Sequence, residues 1–414
     1  MNAEIVCVGT ELLLGETLNT HGAFLSERLA AYGIDVYHHV TVGDNQGRLE
    51  DALRVASRRA TLVVVTGGLG PTGDDLTREA IAAVTGRPLV LKEEVLAAIE
   101  QWFAERGRTM APGNRKQALF PEGSHVLPNP NGTAPGFVLE WAPGRWFVAL
   151  PGPPRELRPM VDGPLRPFLE RWAGGRARLV KRVLRIAGLG ESEVEDRLAD
   201  LFARQGEVTM ATYARAGEVH LRLATKASGA EASSRLDALA AEIRRRLGVH
   251  VYGEDDESLE AVVGRLLRER RESLAVAESC TGGRVADRLT NVPGSSEYFT
   301  AGVVAYANQA KVLSLAVSPH ELTAHGAVSA QVARAMAAGV RRIYGTHWGL
   351  ATTGIAGPGG GTPEKPVGTV YVAVEGPGVG RVERHRWRGD RDTVKERSAQ
   401  AALFLLYRAL SGQA

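Results

Sequence analysis

Apolar positions along this chain fall into short unbroken runs separated by longer stretches of mixed character. Runs such as Ile5-Val6-Cys7-Val8 and Leu62-Val63-Val64-Val65 have the length and β-branched content of buried strands. The stretches between them read as helices, the first over about 20–32. Strands alternating with helices in this way predict a mostly parallel α/β sheet over residues 1–170. In such sheets ligands gather in the loops at the carboxyl ends of the strands.

Two further regions separate by pattern. Residues 171–252 are predicted to hold a strand (Val180–Ile186), a helix (Glu191–Gln205), two strands (Val208–Tyr213 and Glu218–Ala224), a helix (Glu231–Leu247) and a strand (Val249–Tyr252). A polar stretch, Gly253-Glu254-Asp255-Asp256-Glu257-Ser258, leads into the last region, 253–414. There the pattern gives a helix, a strand at Leu274–Ala277, a helix at Val285–Leu289 and a strand at Val303–Tyr306. Several short helices, strands at Gly349–Thr353 and Thr369–Val374, and a helix over about 391–410 follow. Neither an internal repeat nor a low-complexity segment interrupts them.

Composition narrows the class. The 414 residues are 44% hydrophobic and 23% charged, as in a folded chain of about two to four domains. Nothing resembles a signal peptide, and no apolar run approaches the roughly 18 residues of a membrane span. The two cysteines, Cys7 and Cys280, lie far apart, which suits a reducing cytoplasm rather than a disulfide framework. A net charge of +3, with basic residues scattered among acids, gives no footprint for nucleic acid. Lysine is scarce, seven in all, so each one in a glycine-rich or apolar setting draws notice.

Three clusters in the last region could carry chemistry. Leu274–Ala277 runs directly into Glu278-Ser279-Cys280-Thr281-Gly282-Gly283 and then a helix. A sharp strand-to-helix turn presents backbone N–H groups, suiting an exposed nucleophile with an oxyanion hole, or a phosphate. Taken locally, Ser279 or Thr281 reads first as a helix cap, and only the other clusters shift that balance. The second cluster places Tyr306, Asn308 and Lys311 at or just past a strand end. A lysine buried there would lose basicity and could take a proton from a serine hydroxyl. The third, Thr352-Thr353-Gly354-Ile355-Ala356-Gly357-Pro358-Gly359-Gly360-Gly361, lets backbone approach a ligand closely.

Together these motifs resemble the C-terminal domain of the CinA family of competence/damage-inducible proteins, whose stand-alone members are nicotinamide-nucleotide amidases. The resemblance implies hydrolysis of nicotinamide mononucleotide to nicotinate mononucleotide and ammonia, without a cofactor. It makes Ser279 the nucleophile rather than its neighbour Cys280, and Lys311 the activating base. Tyr306 would assist proton transfer, and N–H groups near Thr281 and Gly282 would hold the oxyanion. Glu278 would orient Lys311 or bind a ribose hydroxyl. Gly283, Asn308, Gly354 and Gly357 would line the substrate, with Arg397 a candidate for its phosphate.

The N-terminal region carries its own loops. Val8-Gly9-Thr10-Glu11 follows the first strand, and Thr66-Gly67-Gly68-Leu69-Gly70-Pro71-Thr72-Gly73-Asp74-Asp75 the third. The second stretch lacks the Gly-Lys-Ser/Thr ending of a P-loop, yet its N–H groups could cradle phosphate beside two carboxylates. Asp44, the Asn131–Gly136 turn and Leu150-Pro151-Gly152-Pro153-Pro154 could line the same cleft. These resemble the N-terminal domain of the same family, which has the fold of molybdopterin-binding proteins.

That resemblance implies a metal-dependent ADP-ribose pyrophosphatase yielding AMP and ribose 5-phosphate. Asp44 and Asp75, with Asp74, would associate with a divalent ion (Mg, Mn or Co). Thr10, Glu11, Asn19, Thr66, Gly67, Gly68, Pro151 and Gly152 would contact the nucleotide. The middle region resembles a KH-type module, but its Gly188-Leu189-Gly190-Glu191 turn is followed by acids that would repel a nucleic-acid backbone. A structural spacer or dimerisation element fits it better.

The expected whole is an α/β chain in three parts: a molybdopterin-binding-like sandwich, a small KH-type α+β domain and an α/β amidase domain. It would be a cytoplasmic homodimer acting on small nucleotides, binding neither nucleic acid nor membrane. Rival expectations are a molybdopterin-binding protein without N-terminal catalysis, and a DNA-uptake or recombination accessory.

Overall fold

The computed structural model describes residues 1–174, 178–227 and 230–412. The chain folds as two compact units, Met1–Val180 and a second that holds Lys181–Thr225 together with the C-terminal region. In the first unit a six-stranded sheet runs in the order Asp35–Val42, Asn2–Val8, Leu62–Thr66, Arg145–Leu150, Gly136–Ala142, His125–Leu127. The first four strands are parallel, as expected. The last two join by antiparallel pairing: a hairpin closes Gly136–Ala142 onto Arg145–Leu150, and His125–Leu127 pairs antiparallel with Gly136–Ala142.

Side chains alternate across this sheet, the period-two consequence of strand geometry. Val6 and Val8 face a cluster with Leu49, Leu53 and Ile81 of the helices Gln46–Arg59 and Thr77–Thr85. Ile5 and Cys7 face the opposite one, with Leu25, Leu29, Leu157 and Leu169. Both faces of the sheet are therefore covered. Each such leucine contributes about 1.5–3 kcal/mol relative to an exposed position.

The middle segment is a four-stranded sheet in the order Val208–Arg215, Glu218–Ala227, Arg178–Ala187, Val251–Glu254. The helix expected over Glu191–Gln205 is broken into Glu191–Arg197 and Ala199–Ala203, where Leu198 leaves helical geometry at φ −115° and ψ 16°.

The C-terminal region builds a five-stranded sheet in the order Phe299–Val304, Leu274–Glu278, Trp348–Gly354, Thr369–Gly376, Val379–Arg386. The first three strands are parallel and the last two antiparallel. Leu274 and Val276 pack against the helices Leu259–Arg270 and Arg391–Leu410, whereas Ala275 and Ala277 face Ala330–Tyr344. Two strands differ from expectation, and both are sheet edges. The one expected at Val303–Tyr306 is Phe299–Val304, since pairing ends at Glu278 opposite Val304 and Tyr306 lies beyond it. Val379–Arg386 (Val-Gly-Arg-Val-Glu-Arg-His-Arg) has no apolar run, because an edge strand buries little.

Candidate functional site

Leu274–Glu278 is buried at every position, and its end delivers Ser279 beside Lys311. Lys311 is 1% exposed and sits on the helix Asn308–Leu315. Its Nζ lies 3.1 Å from Ser279 Oγ, 2.9 Å from the Ala305 carbonyl oxygen and 3.0 Å from that of Tyr306. Burial holds this lysine below its usual pKa. The arrangement has a chemical consequence. A neutral amine has two N–H donors and one lone pair; the two carbonyls take the donors, leaving the lone pair for the serine proton.

Glu278 answers the question of the cap. Its buried carboxylate accepts from the amides of Gly283 (2.9 Å), Val285 (3.1 Å) and Ala286 (2.8 Å) at the start of the helix Arg284–Thr290. That satisfies N–H groups a helix leaves open and places negative charge at the positive end of its dipole. Ser279 and Thr281 are thereby spared this duty, and Glu278 itself neither orients Lys311 nor opens to solvent. Thr281 Oγ1 pairs with Thr352 Oγ1 at 2.7 Å, both buried, and the Ser279 amide donates to the Thr352 carbonyl at 3.0 Å. Gly282 and Gly283 take φ of +63° and +97°, a left-handed turn that glycine enters without strain. Among the described residues the amides of Thr281 and Gly282 donate to no backbone carbonyl. Cys280 is buried, and burial pushes its thiol up to about 12, so it stays protonated.

The remaining expected residues divide. Tyr306 brings its carbonyl to Lys311, while its side chain, 60% exposed, accepts at Oη from Arg391 Nη2 at 2.9 Å. Arg391 Nη1 also donates to the Gly357 carbonyl at 2.6 Å, tying the glycine loop to the tyrosine. One turn on, Lys395 reaches the Ser279 turn: a Cβ at Gly282 would lie 3.6 Å from its Nζ. Arg391 and Lys395 were missed by sequence reasoning, although four-residue spacing at the start of the predicted helix was a usable signal. Arg397, on the same helix, turns instead to a cavity with Gly188, Gly217 and His250 of the middle segment. Asn308 is exposed at its helix start. At Gly354 a Cβ would lie 2.8 Å from the Thr369 carbonyl oxygen, so close strand packing accounts for that glycine.

In the first unit a cavity of about 390 Å³ gathers Glu11, Asp44, Gly67, Gly68, Asp74 and Asp75. Pro151 and Gly152 complete its wall, together with Thr133 and Ala134 of the expected turn. An adjoining cavity of about 290 Å³ takes Asn19 and His21 and shares Glu11 and Gly152. Thr66 sits behind it, its Oγ1 3.1 Å from His21 Nδ1. Gly67 is required by close approach, since a Cβ there would stand 2.2 Å from the Val8 carbonyl oxygen. Beneath the loop lies Arg78, 1% exposed, which donates to the Leu69 carbonyl at 2.8 Å. Burial lowers its pKa to about 10, yet it stays charged at neutral pH and adds positive potential under the glycines. Glu156, which accepts from Asn129 at 2.8 Å, also lines the cavity and was not foreseen.

The carboxylates here are partly engaged. Asp44 Oδ2 accepts from the Thr10 amide at 2.8 Å while Thr10 Oγ1 accepts from the Asp44 amide at 3.1 Å. Asp75 Oδ2 accepts from the Thr72 amide at 2.9 Å. Among the described residues no three His, Cys, Asp or Glu side chains converge as a cage. The donors on this wall are carboxylate oxygens, the kind that a hard ion of the Mg²⁺ type takes one or two at a time.

Comparison with known proteins agrees along the whole chain. Residues 4–171 match the family model "Probable molybdopterin binding domain", residues 181–253 the "Damage-inducible protein CinA KH domain", and residues 256–410 the "CinA C-terminal domain". A competence-damage inducible protein of Symbiobacterium thermophilum is 53% identical over 100% of this chain and 99% of its own. The chain belongs to the CinA family. A relative of the same description from Moorella thermoacetica is 50% identical over 100% of both chains. The crystal structure of a CinA protein of Thermoplasma acidophilum is 34% identical, covering 41% of this chain and 99% of that one, with a TM-score of 0.38. No described helix is long and apolar enough to cross a membrane.

Proposed function

We propose that the C-terminal site hydrolyses the carboxamide of nicotinamide mononucleotide and that the N-terminal site splits ADP-ribose into AMP and ribose 5-phosphate. The observation that carries the first activity is the 3.1 Å contact between Lys311 Nζ and Ser279 Oγ, with the amine buried. Ser279 Oγ attacks the carboxamide carbon as its proton passes to Lys311. Amides of Thr281 and Gly282 hold the oxyanion, and the tetrahedral adduct collapses as Lys311 returns the proton to the departing ammonia. Water then attacks the Ser279 ester, giving one proton to Lys311, which returns it to Ser279 Oγ as the C–O bond breaks; the acid so formed gives its remaining proton to solvent and leaves as the nicotinate carboxylate. Arg391 and Lys395 supply positive charge for the phosphate of the substrate. Hydroxylamine added during turnover tests the covalent step: an acyl-enzyme gives the hydroxamate of the nucleotide, and direct attack by water gives none.

For the second activity, Asp44 and Asp75, with Asp74, would hold a divalent ion, which neutralises charge on the pyrophosphate when bound. The amide of Gly68 and the buried Arg78 favour phosphate, and the cavity beside Asn19 and His21 suits a nucleoside end. The family model over residues 4–171 favours a second reading, pterin binding without turnover. Mass spectrometry of products from ADP-ribose and calorimetry with molybdopterin separate the two.

A further inference from the structure

The cavity that takes Arg397 lies within the second unit, where the middle segment meets the helix Arg391–Leu410. Its volume is about 140 Å³, roughly four to five waters at about 30 Å³ each. Gly188 and Gly217 of the middle segment form one wall, and their contacts are tight. A Cβ at Gly188 would meet Phe404 Cε1 at 2.3 Å, and one at Gly217 would meet Gln400 Cβ at 3.0 Å. The Gly188 turn, which a nucleic-acid-binding module would hold free, is therefore packed against the C-terminal helix. Aromatic planes line the remainder: His385 stacks on Trp387 at 4.8 Å and 8°, and His250 on Phe404 at 5.9 Å.

Two residues that line this space, Trp387 and Arg408, each hold a nitrogen donor that the described residues leave unpaired. The indole N–H of Trp387 and the Nε–H of Arg408 are buried and have no acceptor among the described residues. Buried donors are nearly always satisfied, so two on residues around one cavity ask for a partner, which a small shift of either side chain would bring within reach of that space. Arg397 makes no ion pair and no hydrogen bond among the described residues, although the nearby Arg284 and Arg288 are each paired with acids. The acids close to the cavity are already engaged. Glu383 is bound by Arg408 and lies 3.3 Å from His385 Nε2, while Glu218 accepts from Tyr252 and, at 3.3 Å, from Gln400.

We infer that this seam is a binding site for a small oxyanion, a phosphate or a carboxylate head, seated between Arg397, Arg408 and the Trp387 indole. The site is distinct from the Ser279 turn, with Arg397 as its fork of donors and the aromatic walls excluding competing water. Gln400, in its wall, also accepts from Arg288 Nη2 at 2.7 Å on the helix that follows the catalytic turn.

The six tryptophans of the full chain give a resolvable set of indole N–H signals, and Trp387→Phe identifies the one at issue. Inorganic phosphate is titrated at constant ionic strength, then acetate in the same way, to tell a phosphate source from a carboxylate source. Saturable movement of the Trp387 signal with either anion is expected, with an apparent Kd at least tenfold weaker in Arg397→Gln. Arg397→Lys, which keeps charge but loses the fork, is expected to weaken it too and serves if the first variant does not fold. A Trp387 signal that moves with neither anion, or moves equally in wild type and both variants, overturns the site.

Discussion

The carboxylate of Glu278 accepts the amide of Ala286 at 2.8 Å, bridging the end of a buried strand to the first turn of the next helix. With the amides of Gly283 and Val285 also bound, one acid closes the turn that carries Ser279. Glu278→Gln keeps the shape but replaces a charged acceptor by a neutral one and points an NH₂ at N–H groups. We expect a loss of about 1.5–3 kcal/mol, read by urea unfolding followed in the C-terminal unit. A variant as stable as wild type would mean the carboxylate does not hold the helix.

The proposed role of Lys311 carries a pH dependence. Burial lowers its pKa, and the base is the neutral amine. Turnover of nicotinamide mononucleotide should therefore rise with pH through the lowered lysine pKa and level off above it. Lys311→Gln should lose at least about 100-fold, the scale of general base catalysis, and lose the rising limb as well. A bell-shaped or flat profile in wild type would point to another base.

Arg391 and Lys395 stand on one face of the last helix beside the Ser279 turn. Arg391→Ala and Lys395→Ala should each raise KM for nicotinamide mononucleotide about tenfold, the equivalent of about 1.4 kcal/mol. They should leave the slower hydrolysis of the phosphate-free riboside unchanged. Equal losses on both substrates would remove these residues from phosphate recognition.

Metal removal should separate the two sites. A chelator should stop ADP-ribose cleavage, and Mg²⁺, Mn²⁺ or Co²⁺ should restore it, whereas ammonia release from nicotinamide mononucleotide should not change. Asp75→Asn should lose most of the restored activity. Chelator-resistant cleavage of ADP-ribose would exclude the carboxylates from the role proposed for them.

Much of this was legible in the sequence, for reasons that differ by place. Central strands such as Leu274–Glu278 and Leu62–Thr66 are buried on both faces and show as apolar runs. The edge strand Val379–Arg386 buries little and left no such trace. Ser279, Lys311, Asp44 and Asp75 drew notice because their motifs follow strand ends, and the fold brings Ser279 to Lys311 and Asp44 into one cavity with Asp75. The cap by Glu278 was not, since an acid five to eight residues before the amides it binds follows no capping pattern. Arg397 was misplaced for a helical reason. At 100° per residue it lies on a different face from Arg391 and Lys395, and only packing shows which face meets the site.

The most direct measurement is ammonia release from nicotinamide mononucleotide by Ser279→Ala beside wild type, with products weighed by mass spectrometry. Ser279 is 8% exposed, and removing one oxygen leaves the turn and the Glu278 cap in place. The expected result is a fall of at least about 1,000-fold with an unchanged melting temperature and undiminished ADP-ribose cleavage. Full deamidation by Ser279→Ala would contradict a serine nucleophile at this site.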